Sequence, residues 1–345
     1  MTPPPTRSPA RSASRHRANR TKKYVAFVTC IAVVIGAAIA VAVAKPWATR
    51  SVPRVVSTRP VRHLGYVGVY EPDAPISYTG VNQFAGAIGR QPNLVSYYSP
   101  WLWPFQVRFA TSAAKHGAVT LVQIDPRNVS LASIAAGRYD AYLRSFATAV
   151  KAFGGKVILS FGHEMNGDWD SWGYKHVPPA VFVSAWRRIV NVFRAVGAEN
   201  VTWMWTVNII DSKPAIPDPS PWWPGDSYVN WVGIDGYYYQ SNEMFAQVFG
   251  PTIADVRALT GDPIFIAETG AEPDTGQSAK INDLFAGVRT YGLVGLLWFD
   301  ENTQGRIWRI NSAGAFAAFR NDTKALLGPP ATSAPAHPSP AGSSS

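Results

Sequence analysis

Two segments of this 345-residue chain gather side chains able to do acid–base chemistry. The first runs Gly162-His163-Glu164-Met165-Asn166-Gly167-Asp168-Trp169-Asp170-Ser171-Trp172-Gly173, and the second is Ala267-Glu268-Thr269-Gly270. Asn208, the triplet Asp235-Gly236-Tyr237 and the run Trp298-Phe299-Asp300-Glu301 close similar apolar stretches. Two carboxyl groups facing across a pocket are the minimum equipment for cleaving a glycosidic bond. One must be protonated to release the leaving oxygen, and the other ionised to attack the anomeric carbon or activate water. Tryptophans supply flat faces on which sugar rings stack. Each residue alone has a plainer reading: a Glu ending a strand is more often an ion-pair partner or helix cap, and a neighbouring Trp is more often core. Their coincidence is what points to chemistry.

Other chemistries find less support. His163-Glu164 lacks the second histidine of a His-Glu-x-x-His zinc motif, so no metal is expected there. Cys30 is the single cysteine, which excludes an internal disulfide framework and a Cys-based zinc site. No organic cofactor is implied. Asp168 and Asp170 read as loop or capping groups. Asp300 and Glu301 read equally well as sugar-hydroxyl ligands or a solvated loop. His116, Asp211 and Asp226 read as surface or turn residues.

The elements that must position these groups follow from hydrophobic periodicity. Eight short apolar runs predict strands at 63–70, 93–99, 118–124, 156–162, 201–207, 231–237, 263–269 and 293–299. Helical patterns occupy 102–116, 131–153, 179–196, 243–259 and 277–290. In 179–196, Phe182, Trp186, Ile189, Val190 and Phe193 form one apolar face, with Pro178 and Pro179 placed to start the helix and Gly197 to end it. Runs that are apolar throughout suit parallel strands covered on both faces. Eight strands with crossover helices point to an α/β fold, a (β/α)8 TIM barrel, whose reactive groups lie at the C-terminal ends of its strands. The competing open doubly wound sheet would carry a Gly-rich phosphate loop after its first strand, and none follows here.

Charge sets the domain organisation. The net charge of +10 invites a nucleic-acid or anionic-membrane reading. Yet residues 1–60 hold 11 basic and no acidic residues, leaving 21 basic and 22 acidic ones after position 60. A nucleic-acid-binding core is therefore not expected. Residues 1–23 read as a basic disordered cytoplasmic tail. Residues 24–44 form an uncharged stretch of 21 residues, long enough for a transmembrane signal-anchor. The seven basic residues before it keep its N-terminal side cytoplasmic and the rest of the chain outside. The alternative is a cleaved signal peptide ending near Ala42-Val43-Ala44. Residues 45–61 read as a linker, 62–327 as the barrel domain and 328–345 as a Pro/Ala/Ser disordered tail.

The stretch 156–173, KVILSFGHEMNGDWDSWG, resembles the signature of glycoside hydrolase family 26, the β-mannanase family of clan A. The stretch 222–237 and the AETG at 267–270 are similar to the family's loop, sixth strand and nucleophile segment. The resemblance implies that Glu164 is the general acid/base and Glu268 the nucleophile of a retaining double displacement. It implies substrate contacts from His163, Trp169, Trp172, Tyr237 and a Trp298 platform, with Asn166 and Asn208 beside them. Family mannanases carry a histidine near the end of strand three, where this chain reads Gln123-Ile124-Asp125. The resulting expectation is an extracellular, membrane-tethered, monomeric endo-glycanase acting on a β-linked polysaccharide. β-1,4-Mannan stands first, with mixed-linkage β-glucan or xylan as alternatives. A non-catalytic glycan-binding barrel and a wall protein with its aromatics buried as core are the competing classes.

Overall fold

The structure is a computed structural model and describes residues 65–210, 216–303 and 305–328. The expectations for 1–23, 24–44 and 45–61, and for the tail beyond 328, lie outside these residues. Among the described residues, no helix is long and apolar enough to cross a membrane.

Eight parallel strands close into a barrel in sequential order: β1 (Tyr66–Tyr70), β2 (Leu94–Pro100), β3 (Val119–Asp125), β4 (Val157–Phe161), β5 (Val201–Asn208), β6 (Trp231–Asp235), β7 (Ile264–Thr269) and β8 (Gly295–Phe299). β8 pairs with β1, with Tyr66 opposite Gly295 and Tyr70 opposite Phe299, so the sheet has no free edge. The TIM barrel expected from the sequence is thus observed, and each predicted strand overlaps one observed strand.

The helix pattern differs in instructive ways. Pro179–Val196 forms as expected, with Pro178 at the N-cap and Gly197 closing it in the left-handed region. The predicted 131–153 helix is two, Leu131–Ala135 and Asp140–Phe153, broken where Gly137 takes φ 79°. Likewise 243–259 divides into Phe245–Val248 and Gly250–Leu259, because Pro251 lacks the N–H needed to continue the first helix. Pro104 delays the helix expected from 102 to Val107–Lys115. The helices Thr79–Ile88, Gln277–Thr290 and Ala313–Leu327 complete the outer ring, and the first and last of these were not anticipated.

Strand alternation builds the interior in layers. Leu94, Leu121, Ile158, Met204, Phe265, Ala267 and Leu297 form a separate cluster inside the barrel. Full burial of one such large apolar side chain contributes roughly 1.5–3 kcal/mol. Two residues further along the strands, the same inward face carries the buried polar groups Ser96, Gln123, Ser160 and Thr206, and Ser160 Oγ meets Thr206 Oγ1 at 2.8 Å. Another step up, Tyr98, Asp125, Asn208 and Asp235 reach the C-terminal mouth. The apolar floor and polar layer thus make a solid base for whatever happens above them. The opposite strand faces pack on the helices in a second, larger core.

Candidate active site

The chain bends sharply after β4. Gly162 takes φ 55° and Glu164 φ 54°, a region that a residue with a side chain rarely enters. Glu164 N–H donates to the Thr206 carbonyl at 3.0 Å, and the Glu164 carbonyl accepts from Gly167 N–H at 2.8 Å. These bonds hold the turn and aim the Glu164 side chain over the barrel mouth. There Asn208 Nδ2 donates to Glu164 Oε1 at 2.6 Å, and Trp169 Nε1 donates to Oε2 at 2.7 Å.

Glu268 reaches the same cleft by a different device. Phe265 and Ala267 already point into the barrel, so strict alternation would send Glu268 outward. The pairing with β6 slips instead: Ile234 lies opposite Ile266, but Asp235 lies opposite Glu268. Ala267 is an extra residue, a β-bulge that turns Glu268 inward. Tyr237 Oη then donates to Glu268 Oε1 and Tyr98 Oη to Oε2. Burial and the Glu268 charge push both phenols well above their ordinary range, so both stay protonated as donors.

The two carboxyl groups line one cleft of about 790 Å³. Burial, and next the negative charge of Glu268, raise Glu164 from 4.5 to about 7, against the opposing charge of His163. Glu268 has both carboxylate oxygens held by hydroxyl donors. One carboxyl suited to giving a proton therefore faces one suited to attack. Asp235 lies fully buried on the same level, and burial followed by the charges of Glu268 and Glu164 pushes its carboxyl well above the usual range.

His163 Nδ1 lies 3.0 Å from Asp125 Oδ1. Burial opposes a charge on the ring, but the nearby acids, Asp125 first and then Glu164 and Asp235, outweigh it and raise the imidazole well above its usual range. His163 lines the cleft, as do Trp169, Asn208 and Tyr237. Three other expected ligands do not. Trp172 is fully buried and donates from Nε1 to the His163 carbonyl at 2.8 Å, bracing the bend from behind. Asn166 is also fully buried and clasps the backbone of Asn208 through both side-chain ends, at 2.8 and 2.9 Å. Trp298 points outward, because Leu297 and Phe299 take the inward positions of β8. It packs edge-on against Phe319 with ring centres 6.1 Å apart. Asn166 and Trp172 therefore position the site, and Trp298 belongs to the barrel-helix core.

Several cleft residues were not singled out in the sequence. Tyr98 and Asp125 share the inward parity of Leu94 and Leu121, a signal that could have found them. Trp308 and Tyr239 supply the aromatic wall that Trp298 was expected to give, and Trp308 sits 4.4 Å from Tyr237, centre to centre. Trp308 and Arg306 belong to the segment after β8, which folds into a small hairpin, Asn302–Thr303 against Arg306–Ile307. Arg306 reaches over the Tyr239 ring at 5.2 Å and pairs with Glu272 at 2.9 Å. Loop positions like these carry no periodicity to read.

Residues 120–271, which include both carboxylates, match glycosyl hydrolase family 26. The chain is 32% identical to Endoglucanase H of Acetivibrio thermocellus over 261 residues, covering 71% of this chain and 29% of that protein. It is 24% identical over 181 residues to a β-1,3-xylanase of Vibrio sp, covering 52% of this chain and 33% of the relative. The chain thus spans about a third or less of the length of these relatives. A β-mannanase structure from Bacteroides ovatus superposes with a TM-score of 0.57 at 15% identity, over 77% of this chain and 90% of that one.

Proposed function

From a barrel that belongs to glycosyl hydrolase family 26 over residues 120–271, we propose an endo-acting β-glycanase that retains anomeric configuration. The observation that carries this reading is the pairing of environments: Glu164 is raised to about 7 at the end of β4, and Glu268 is held by two tyrosine hydroxyls at the end of β7.

In the first half of the reaction a Glu268 oxygen attacks the anomeric carbon, and the bond from that carbon to the leaving oxygen breaks. Glu164 gives its proton to that oxygen. In the second half water attacks the same carbon, Glu164 takes the water proton, and the bond to Glu268 breaks. Tyr98 and Tyr237 hold Glu268 for attack, and Asn208 and Trp169 hold Glu164 against the leaving oxygen. Retention calls for carboxyl groups roughly 5–5.5 Å apart.

The relatives that resemble the chain in sequence carry the names endoglucanase and β-1,3-xylanase, whereas the mannanase likeness is one of fold at 15% identity. A β-glucan therefore stands ahead of mannan as the substrate. One copy of the barrel holds every group the reaction needs, so a monomer suffices. The uncharged stretch at 24–44 supports a membrane tether with the barrel outside the cell.

The test assays the full chain in detergent on mixed-linkage β-glucan, β-mannan and xylan, beside Glu164→Gln and Glu268→Gln. Activity surviving both substitutions would sink the assignment. NMR of the first anomer released tests the mechanism, since an inverted product is incompatible with Glu268 as nucleophile.

A further inference from the structure

The rim carries a feature that the reaction does not use. Beyond Pro100, at the end of β2, the chain leaves the C-terminal rim of the barrel as Trp101-Leu102-Trp103-Pro104-Phe105. Two of these side chains are sunk. Trp101 is 7% exposed, between Tyr142 at 5.1 Å, Tyr139 at 5.5 Å and Phe161 at 5.9 Å. Phe105 is 4% exposed and lies 5.7 Å from both Phe146 and Phe153. Between these anchors Leu102 and Trp103 stand out, 58% and 43% exposed.

The outward pair is held in place. Trp101 N–H donates to the Asp125 carbonyl at 3.0 Å, and Trp103 N–H donates to the Pro100 carbonyl at 3.1 Å. The Tyr142 hydroxyl donates to the Trp103 carbonyl at 3.1 Å. Leu102 takes φ 73°, a left-handed conformation rare for a leucine. A single exposed apolar side chain is ordinary on any surface. A strained, anchored pair of them on the face where such barrels hold ligands is not.

The pair also lies beside the cleft. Pro100 lies opposite Asp125 in the sheet, and Asp125 lines the cleft. Leu102 follows two residues later, so its Cα lies within about 8 Å of that of Pro100. No residue from Trp101 to Val107 carries a charge, which suits a neutral partner.

We propose that Leu102 and Trp103 form an outlying sugar platform, which takes a pyranose ring of the same β-linked chain away from the bond being cleaved. This rests on the glycanase reading above. The indole covers the C–H face of the ring, and Leu102 extends that apolar surface.

The experiment uses the full chain in detergent with Trp103→Ala and, separately, Leu102→Gly, which removes the side chain while relieving the backbone. Barley mixed-linkage β-glucan and an aryl β-cellobioside are the long and short substrates. Expected is a KM about tenfold higher on the polymer, with kcat/KM on the aryl glycoside within twofold of the parent. Equal losses on both substrates, or no change on the polymer, would overturn the platform. Affinity electrophoresis in gels containing barley β-glucan, on Glu268→Gln with and without Trp103→Ala, needs no turnover. Weaker retardation with Trp103→Ala supports the platform, and equal retardation overturns it. A parent chain that cleaves neither substrate sinks the glycanase reading instead, and the gel then decides the platform alone.

Discussion

Replacing Glu164 by Gln abolishes turnover under the proposed mechanism, yet it should make the fold more stable in mild alkali. The reason is the environment of Glu164. An unfolded glutamate titrates near 4.5, whereas folding raises Glu164 to about 7. A group raised on folding contributes its full stability below the unfolded value and loses it as pH climbs through the folded value. By pH 8.5 the wild type has lost about 3 kcal/mol relative to pH 4, at about 1.4 kcal/mol per pH unit of difference. Glutamine never ionises, so the variant escapes this loss. The Trp169 and Asn208 donors face one oxygen and one amide in the variant, much as they face a protonated carboxyl in the wild type at low pH. That mismatch largely cancels when two pH values are compared. For a domain of this size 1 kcal/mol corresponds to about 2–4 °C, so the variant should gain roughly 6–12 °C over wild type at pH 8.5 relative to its difference at pH 4. Thermal unfolding followed by circular dichroism reads this directly. A wild-type–variant difference that is the same at both pH values would refute the claim that burial and Glu268 hold Glu164 neutral.

The same carboxyl governs rate. Turnover should fall about tenfold per pH unit above about 7, as the proton on Glu164 is lost, which a pH–kcat/KM profile checks. Tyr98→Phe or Tyr237→Phe removes one donor from Glu268. Each should lower kcat/KM by about tenfold or more, because a hydrogen bond to a charged group is worth roughly 1.5–3 kcal/mol; unchanged kinetics in both would argue against a shared hold on Glu268. Trp298→Phe should lower stability by about 1–3 kcal/mol and leave KM alone. Trp308→Leu should raise KM by about tenfold, and denaturation beside oligosaccharide kinetics separates the two.

Much of this arrangement is legible in the amino-acid sequence. The eight strands announced themselves because each is a short apolar run covered on both faces, and Glu164 and Glu268 close two of them. What failed was parity. The family resemblance makes Trp298 a platform, but its alternation with Leu297 and Phe299 sends it toward the helices. Trp172 and Asn166 sit within a few residues of Glu164, yet the bend after Gly162 turns them behind the site rather than into it. Tyr98 and Asp125 could have been found by extending the inward face of Leu94 and Leu121. Trp308 and Tyr239 could not, because a loop has no period from which to infer a direction. The two split helices show the same limit: an amphipathic pattern runs across Gly137 and Pro251, although the backbone does not.

The bulge at Ala267 makes the direction of Glu268 a matter of counting. Replacing side chains around Glu268 alters its surroundings but not the direction it faces. Straightening the strand at its present length would, since regular pleating from inward Ala267 carries the next residue into the packed layer between sheet and helices. Deleting Ala267 would instead remove the extra residue and leave Glu268 inward, following inward Phe265 and outward Ile266. The cleft would keep its glutamate and lose only the bulge. A strand one residue shorter thus reaches the same direction by plain alternation, and the bulge is what lets the longer strand reach it.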